Sequence, residues 1–453
     1  MPSFLDRENT IAEPGFSRWL VPPAALAVHM CIGEVYGFSV FNVPLTRIIG
    51  ITQSVKGQDW TIPQVGWIYS TALIVLGLSA FVLGKWVERV GPRRTMFTSA
   101  CCFCGGLVIA SFGVAWHNFL VVWLGYGLVG GIGLGLGYIA PVSTLVKWFP
   151  DRPGMATGMA IMGFGGGALV GAPFGVELMN HFKSATSVGV QEAFLMMAAC
   201  YFVMMNIGTT FVRVPAAGWV PEGYVPPAHA KKLVTTSNVT ADEAIKVPQF
   251  WLLWAVLCLN VSAGIGILGQ ASLMCQDMFG VTAAVGAGFA GLLSIFNMAG
   301  RFVWSSLSDY TGRKAIYCVY FILGAVLYCL IPFTQRINSV AVFVAVTAVI
   351  ISMYGGGFAT VPAYLRDLFG TMQVGAIHGR LITAWSMAAV VGPQTINYIS
   401  AYQKEHGVPK SEAYNMTMYI MAGLLLLGLL CNLLIKAVDP KHNFQAAPQG
   451  GNA

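Results

Sequence analysis

One arginine stands where an arginine is hardest to accommodate. Arg301 lies in the run 280–304, which carries no other charge, and a guanidinium keeps its proton whatever surrounds it. Left unpaired in hydrocarbon it costs on the order of several kcal/mol, so it must meet an anion. Its own run offers none. Asn297 occupies the preceding turn and Asp309 comes eight residues later, about 12 Å along a helix. A guanidinium forks two parallel hydrogen bonds onto a carboxylate, so the chemistry available here is recognition of a small organic acid. Pairing with Asp309, or snorkelling to the headgroups, is the structural alternative.

The first apolar run, 20–43, holds two further titratable groups, His29 and Glu34. Low-dielectric surroundings disfavour a charged carboxylate, so such a group can bind and release a proton near neutrality. Histidine titrates there without help. Either is a candidate to couple a proton to anion binding, and Glu34 is also a candidate partner for Arg301 in the empty site. Tyr36, Tyr69, Tyr138, Asn260, Gln270, Tyr354 and Trp385 are polar or aromatic positions in the apolar runs. Each alone reads equally as packing or as interfacial aromatic. The expected binding set is Arg301, Asn297, Trp385, Tyr138, Tyr354 and Gln270, with Glu34 and His29 for the proton. His378 and Arg380 fall where the eleventh run begins and read as anchors at the inner surface. No run carries a nucleophile–base pair, an Asp pair or a histidine-rich metal set, so an intramembrane enzyme is disfavoured, and neither metal nor cofactor is expected.

The elements that must hold these groups follow from composition. Of 453 residues, 56% are hydrophobic and 9% charged, against about 25% charged in a soluble domain. The net charge of +7 comes from basic residues scattered as loop punctuation, which argues against nucleic acid as a partner. The ten cysteines fall almost entirely in apolar stretches; Cys101, Cys102 and Cys104 lack a second ligand pair, so they read as packing residues. Asp6, Glu8 and Glu13 precede the first apolar run, the wrong charge for a cleavable signal, so that run is expected to stay as an anchor.

A membrane helix needs about 20 mostly apolar residues. Such runs occur at 20–43, 64–83, 95–115, 119–146, 155–177 and 193–212, then at 249–274, 280–304, 315–334, 339–364, 379–400 and 414–435. The expectation is an all-α polytopic membrane protein of twelve helices in two pseudo-symmetric six-helix bundles. The divisions are a tail at 1–18, a first bundle at 19–213, a hydrophilic linker at 214–247, a second bundle at 248–437 and a tail at 438–453. With the N-terminus inside, eighteen Lys and Arg fall on inner segments and six on outer loops, which puts both termini in the cytoplasm.

An internal repeat supports two halves. Gly84, Glu88, Gly91 and Arg93 recur, at a shift of 221, as Ser305, Asp309, Gly312 and Lys314. Lys147-Trp-Phe149 and Pro173 match Asp367-Leu-Phe369 and Pro393 at 220. Two correspondences at nearly one spacing, in equivalent places, argue for duplication. Glycines at Gly125, Gly127, Gly131, Gly133, Gly135 and Gly137, and at Gly158, Gly163, Gly167 and Gly171, read as close helix contacts. A phosphate-loop reading of Gly133-x-Gly135-x-Gly137 fails, since no strand precedes it and no Lys-Ser/Thr follows.

The Gly84–Arg94 stretch, between the second and third runs, resembles the loop signature of the major facilitator superfamily. The resemblance implies that Glu88, Arg89 and Arg93 latch an inner gate with Gly84 and Gly91, and that Asp309 and Arg313 form a weaker second copy. Asn297-Met-Ala-Gly-Arg301-Phe-Val-Trp-Ser305 is similar to the eighth span of the oxalate/formate antiporter family and of the monocarboxylate transporters, where an arginine engages the substrate carboxylate. Arg18-Trp-Leu-Val-Pro22-Pro23 and Lys147-Trp-Phe-Pro-Asp-Arg-Pro-Gly154 extend the likeness to the antiporter family over most of the chain. Gly158-x8-Gly167-x3-Gly171-Ala172-Pro173 resembles a motif of the superfamily's antiporters, interrupted by Ala172 and Phe174.

Two positions depart from these families. Asn297 stands where monocarboxylate transporters often have aspartate, and Trp385 where oxalate exchangers have lysine. One cation suits a monocarboxylate such as lactate, pyruvate or formate better than a dianion. What the resemblance implies is a secondary carrier of small organic anions in the inner (plasma) membrane, working as a monomer by proton symport or anion exchange. An oxalate/formate-type antiporter and a non-transporting membrane sensor are the alternatives.

Overall fold

The computed structural model describes residues 3–224 and 233–445; Lys231 and Lys232 of the expected linker lie outside them. Its helices of spanning length are α1 (Arg18–Gly37), α2 (Ile62–Val90), α3 (Pro92–Ala115), α4 (Phe119–Trp148), α5 (Pro153–Phe182) and α6 (Val190–Phe211). The second set is α7 (Pro248–Phe279), α8 (Ala283–Thr311), α9 (Arg313–Arg336), α10 (Val340–Phe369), α11 (Val374–Glu405) and α12 (Asn415–Leu434). Among the described residues eleven helices are long and apolar enough to cross a membrane, and the 29-residue α8 makes the twelfth of spanning length.

Local chemistry sets where these helices start and stop. Thr61 opens α2 with a reciprocal capping box to Gln64, which satisfies two otherwise orphaned donors. Gly91 (φ 85°) and Gly312 (φ 88°) end α2 and α8, in a backbone region that strains any side chain. The charged motif sits differently from its expected place between spans. Gly84, Glu88 and Arg89 lie in the last turns of α2, and Asp309 in the last turn of α8. The onset of charge marks where hydrocarbon ends, and the helix carries on past it.

Three helices are irregular. α1 winds as a 3₁₀ helix over Gly33–Gly37, α4 as a π-helix over Trp123–Gly130, and α11 breaks at Ile382 between Val374–Leu381 and Thr383–Glu405. Such departures mark places where packing or function overrides regular hydrogen bonding.

The glycines let backbones touch. Gly33 and Gly167 bring α1 onto α5, Gly106 and Gly133 bring α3 onto α4, and Gly300 and Gly355 bring α8 onto α10. The two halves meet along two seams, α5 against α8 and α2 against α11. Outward-facing leucines such as Leu426 and Leu430 of α12 are more than half exposed, the surface a helix offers to lipid rather than water.

Gly167 tests this packing. A Cβ there would lie 2.5 Å from Gly33 Cα and 2.7 Å from the Glu34 nitrogen, whereas one at Gly105 meets nothing within 4 Å. Gly167→Ala is expected to cost about 1–3 kcal/mol, seen as a lower Tm in detergent. Gly105→Ala should leave Tm unchanged or slightly raised.

Candidate functional site

Arg301 sits in a slot made by two glycines. A Cβ at Gly165 of α5 would come within 2.6 Å of its Nε, and one at Gly355 of α10 within 3.1 Å of its Cγ. The side chain is fully buried. Nε donates to Asn297 Oδ1 (3.1 Å) and Nη1 makes a long contact with the Ile161 carbonyl (3.4 Å). Nη2 has no acceptor among the described groups. Rings cover two sides, with the guanidinium carbon 5.2 Å from the Phe358 centroid and 5.9 Å from that of Phe164, where the ring quadrupole eases part of the desolvation. The alternative partner, Asp309, is bonded elsewhere. Among the described ion pairs no carboxylate reaches Arg301, so its charge has only neutral neighbours.

Around it stands an aromatic cage drawn from both halves. Trp385 of α11 lies 4.8 Å from Phe358, 5.2 Å from Phe164, 5.5 Å from Tyr138 and 6.0 Å from Tyr36. The Tyr36 and Tyr354 hydroxyls meet at 3.1 Å, joining α1 to α10. Trp385 Nε1 and the Tyr138 hydroxyl are buried without partners. Buried polar groups are nearly always hydrogen-bonded. An open Nη2 on one cation, with two further open donors in the cage around it, is an arrangement with the chemistry to receive an acceptor-rich anion. Of the expected binding set, Arg301, Asn297, Trp385, Tyr138 and Tyr354 converge here, while Gln270 lies half-buried on α7.

The two proton candidates separate. His29 faces the seam, its Nε2 3.3 Å from the Tyr138 carbonyl and its ring edge-on to Tyr138. Glu34 turns away from the socket and does not pair with Arg301. It accepts from the Tyr126 hydroxyl at 3.1 Å and packs against Gly171 inside the first half. Five residues apart on a helix is about 140° around it, so one side chain faces the seam and the other the bundle core. His378, expected as a surface anchor, is 1% exposed and its ring lies 5.7 Å from Tyr138.

At the end carrying Arg93, Arg94, Arg313 and Lys314, here called the basic face, the halves are locked together by crossed caps. Glu88 accepts from Lys147 (2.7 Å) and from the Gly375 N–H (2.9 Å) at the start of α11. Asp309 accepts from the Gly154 and Met155 N–H groups (both 2.8 Å) at the start of α5, and from Arg313 (2.6 Å). Each carboxylate thus caps a helix of the other half, satisfying orphaned N–H groups and facing the positive end of the helix dipole. Gly154 and Gly375 are related by the same 221 as Glu88 and Asp309. Both must be glycine, since a Cβ would meet the carboxylate oxygen at 2.9 and 2.6 Å.

The expected arginines of the first latch act otherwise. Arg89 is exposed, with no described partner. Arg93 is buried against the carbonyls of Phe4, Asn9 and Val212 and over the Phe4 ring, so it ties the N-terminal segment down. The second copy is the more heavily bonded one, because Arg313 also reaches Asp367 (3.1 Å). The linker contributes too, with Asp242 bonded to Lys85 of α2 and to Arg380 of α11 (2.7 Å). The hydrogen bonds described between the halves lie at the level of Tyr36–Tyr354 or nearer this face, so the basic face is shut.

Two six-helix halves, a buried unpaired arginine between them and paired capping latches at one face agree with what sequence comparison finds. The profile of the Major Facilitator Superfamily matches residues 24–393 and, overlapping, 289–451. The chain belongs to the Major Facilitator Superfamily. Members of this superfamily are transporters, not enzymes. The oxalate:formate antiporter of Oxalobacter formigenes is 26% identical over 379 residues, covering 83% of each chain. Apicoplast pyruvate carrier 1 of Toxoplasma gondii is 24% identical over 434 residues, covering 78% of each. Among solved structures of the superfamily fold, the human organic anion transporter MFSD10 (TETRAN) superposes with a TM-score of 0.64 at 14% identity, covering 93% of this chain and 100% of that one.

The linker clamp has a defined pH response. The Lys85 ammonium, and after it the Arg380 guanidinium, hold the Asp242 carboxyl at about 2, below its ordinary 3.8. Its contribution is complete above the ordinary value and lost as pH falls through about 2. Spin labels on the basic ends of α2 and α11 should therefore report one distance between about pH 5 and about pH 8. Asp242→Asn should broaden that distribution toward longer distances. Asp309→Asn, which weakens a charged cap worth about 1 kcal/mol, should do the same.

Proposed function

We propose that this carrier moves a small monocarboxylate across the membrane by alternating access, coupled to a proton. The observation that carries the reading is the Arg301 socket, one fixed cation with an open Nη2 beside the unpartnered Trp385 Nε1 and Tyr138 hydroxyl. A carboxylate completes it by taking Nη1 and Nη2 as a bidentate fork, replacing the long contact to Ile161. A neutral solute leaves the charge uncompensated. A dianion finds only one cation, because Trp385 occupies the cage where a second positive charge is needed. The names of the relatives, an oxalate:formate antiporter and a pyruvate carrier, support small carboxylates as the class.

Lysine and arginine concentrate on the basic face, which supports placing that face and both termini in the cytoplasm of a cell's plasma membrane. The domain divisions at 19–213 and 248–437, joined by a cytoplasmic linker, are part of this reading. With the basic face capped, substrate enters this state from the outer side once that side parts. Anion exchange is the second reading, favoured by the glycine pattern of α5, where Gly158 and Gly165 lie directly against α8.

Uptake of labelled lactate, formate and oxalate into proteoliposomes, with and without an imposed proton gradient, tests this. Lactate or formate uptake driven by inward protons without internal anion is expected, and strict dependence on internal anion would move the assignment to exchange. Arg301→Gln should cut uptake about 100-fold or more, and unchanged uptake would remove Arg301 from the site. Trp385→Lys, which adds a second cation to the cage, should shift preference toward oxalate.

A further inference from the structure

Two buried histidines face each other across a seam, between the Arg301 socket and the basic face. His29 on α1 leaves Nδ1 without a partner, and His378 on α11 leaves both ring nitrogens without one. The Tyr138 ring stands between them, 5.6 Å from His29 and 5.7 Å from His378, with its own hydroxyl open. An imidazole always has one donor or acceptor on each nitrogen. Burying one with neither satisfied costs stability, and packing alone gives no return for it.

The position of His378 along α11 is equally specific. It lies three residues after Gly375, which receives the Glu88 cap, and seven before Trp385 in the cage. Both rings lie against Tyr138, at 5.7 and 5.5 Å, so histidine and tryptophan face the same side across the break at Ile382. A cavity of about 500 Å³ opens at the basic face and is lined by Glu88 and Ser143, the side chains that lie against Gly375. Its lining reaches Glu88 and Ser143 beside Gly375, about one helical turn from His378.

The repeat supplies an internal comparison. At the spacing of 221 that relates Gly154 to Gly375, the counterpart of His378 is Thr157. The Thr157 hydroxyl donates to the Ala359 carbonyl across the other seam at 2.6 Å, and nothing is left open there. A small hydroxyl therefore closes one seam, whereas the other carries an imidazole with both nitrogens unsatisfied.

We propose that His378, facing His29 across Tyr138, is the group that binds and releases the coupling proton on the basic-face side of the substrate socket. The inference rests on the transport reading above and names its proton carrier. With the socket open to the outer side, a proton entering with the carboxylate passes by way of the open Tyr138 hydroxyl to a ring-nitrogen lone pair, forming an N–H bond and placing a second positive charge near the carboxylate held by Arg301. When the basic face opens, the seam parts and cavity water reaches the ring. On release the N–H bond breaks, the proton passes to water and the carboxylate leaves with it, so the step is electroneutral.

Titratable and charged groups on the elements packed against this stretch include His29 on α1, Lys85 and Glu88 on α2, Tyr138 and Lys147 on α4, Tyr354 and Asp367 on α10, and Asp242 of the linker, with Arg380 on α11 itself. Lys85 and Arg380 are held by Asp242, Glu88 by Lys147, Asp367 by Arg313 and Arg366, and Tyr354 by Tyr36. That leaves His29 and Tyr138 as the open neighbours.

The test uses full-length protein in proteoliposomes, with labelled lactate and formate as probes and the variant His378→Thr, which installs the residue of the repeat-related position. With one proton per carboxylate, an inward gradient of about one pH unit supports about tenfold accumulation. The variant should only equilibrate its substrate, while still exchanging internal for external anion at a measurable rate, which shows that it is folded. Lactate binding to purified wild type should take up a proton from a dye-reported buffer, and binding to the variant should not. Accumulation by His378→Thr at the wild-type level overturns the inference and leaves the transport reading standing. So does loss of accumulation in Glu34→Gln but not in His378→Thr. If wild type carries neither acid, both readings fall.

Discussion

A guanidinium that cannot shed its proton has been placed where no water reaches it, and much of the centre of the molecule is arranged around that fact. Gly165 and Gly355 exist as glycines because Arg301 and Asn297 occupy the space a methyl group would take. Phe164 and Phe358 offer ring faces to the charge, and Asn297 fixes its Nε. None of these neighbours is an anion. The protein therefore holds a charge it only partly stabilises, and on the proposed reading that shortfall gives an incoming carboxylate its affinity. Supplying a resident carboxylate would make the fold more comfortable and the site useless.

The second organising relation is geometric. Glu88 and Asp309 each cap a helix of the opposite half, so neither half can swing without breaking bonds at both seams together. Asp242 adds the linker to the same closure, so the segment joining the halves also takes part in holding them shut.

How much of this could be read beforehand follows from the physics of each signal. The twelve spans and the repeat were legible because apolar length and a constant spacing are one-dimensional properties. Arg301 stood out because charge in an apolar run needs no structure to be noticed. Glu34 reads as a candidate partner for Arg301, although its five-residue separation from His29 already puts the two side chains on different faces. Arg89 and Arg93 were assigned to the latch by likeness, and only the fold reveals that backbone N–H groups take the place of their guanidinium groups. Backbone donors leave no mark on a sequence, except that Gly154 and Gly375 must be glycine. His378 reads as a surface anchor because it lies near a helix start, which resembles a membrane surface until the neighbouring helices are seen to cover it.

The crossing of the caps bears on how such a chain came to exist. If two identical six-helix units had paired about a two-fold axis, one carboxylate and one glycine in a single gene would have made both locks at once, each unit closing the other. Fusion of two copies preserved that arrangement and released the copies from being identical. The present chain records the divergence: Glu88 leans on a lysine, Asp309 on an arginine, and the position that became a threonine in one copy became a histidine in the other. A lock held in duplicate would leave one seam free to acquire a new task while its twin went on doing the old one.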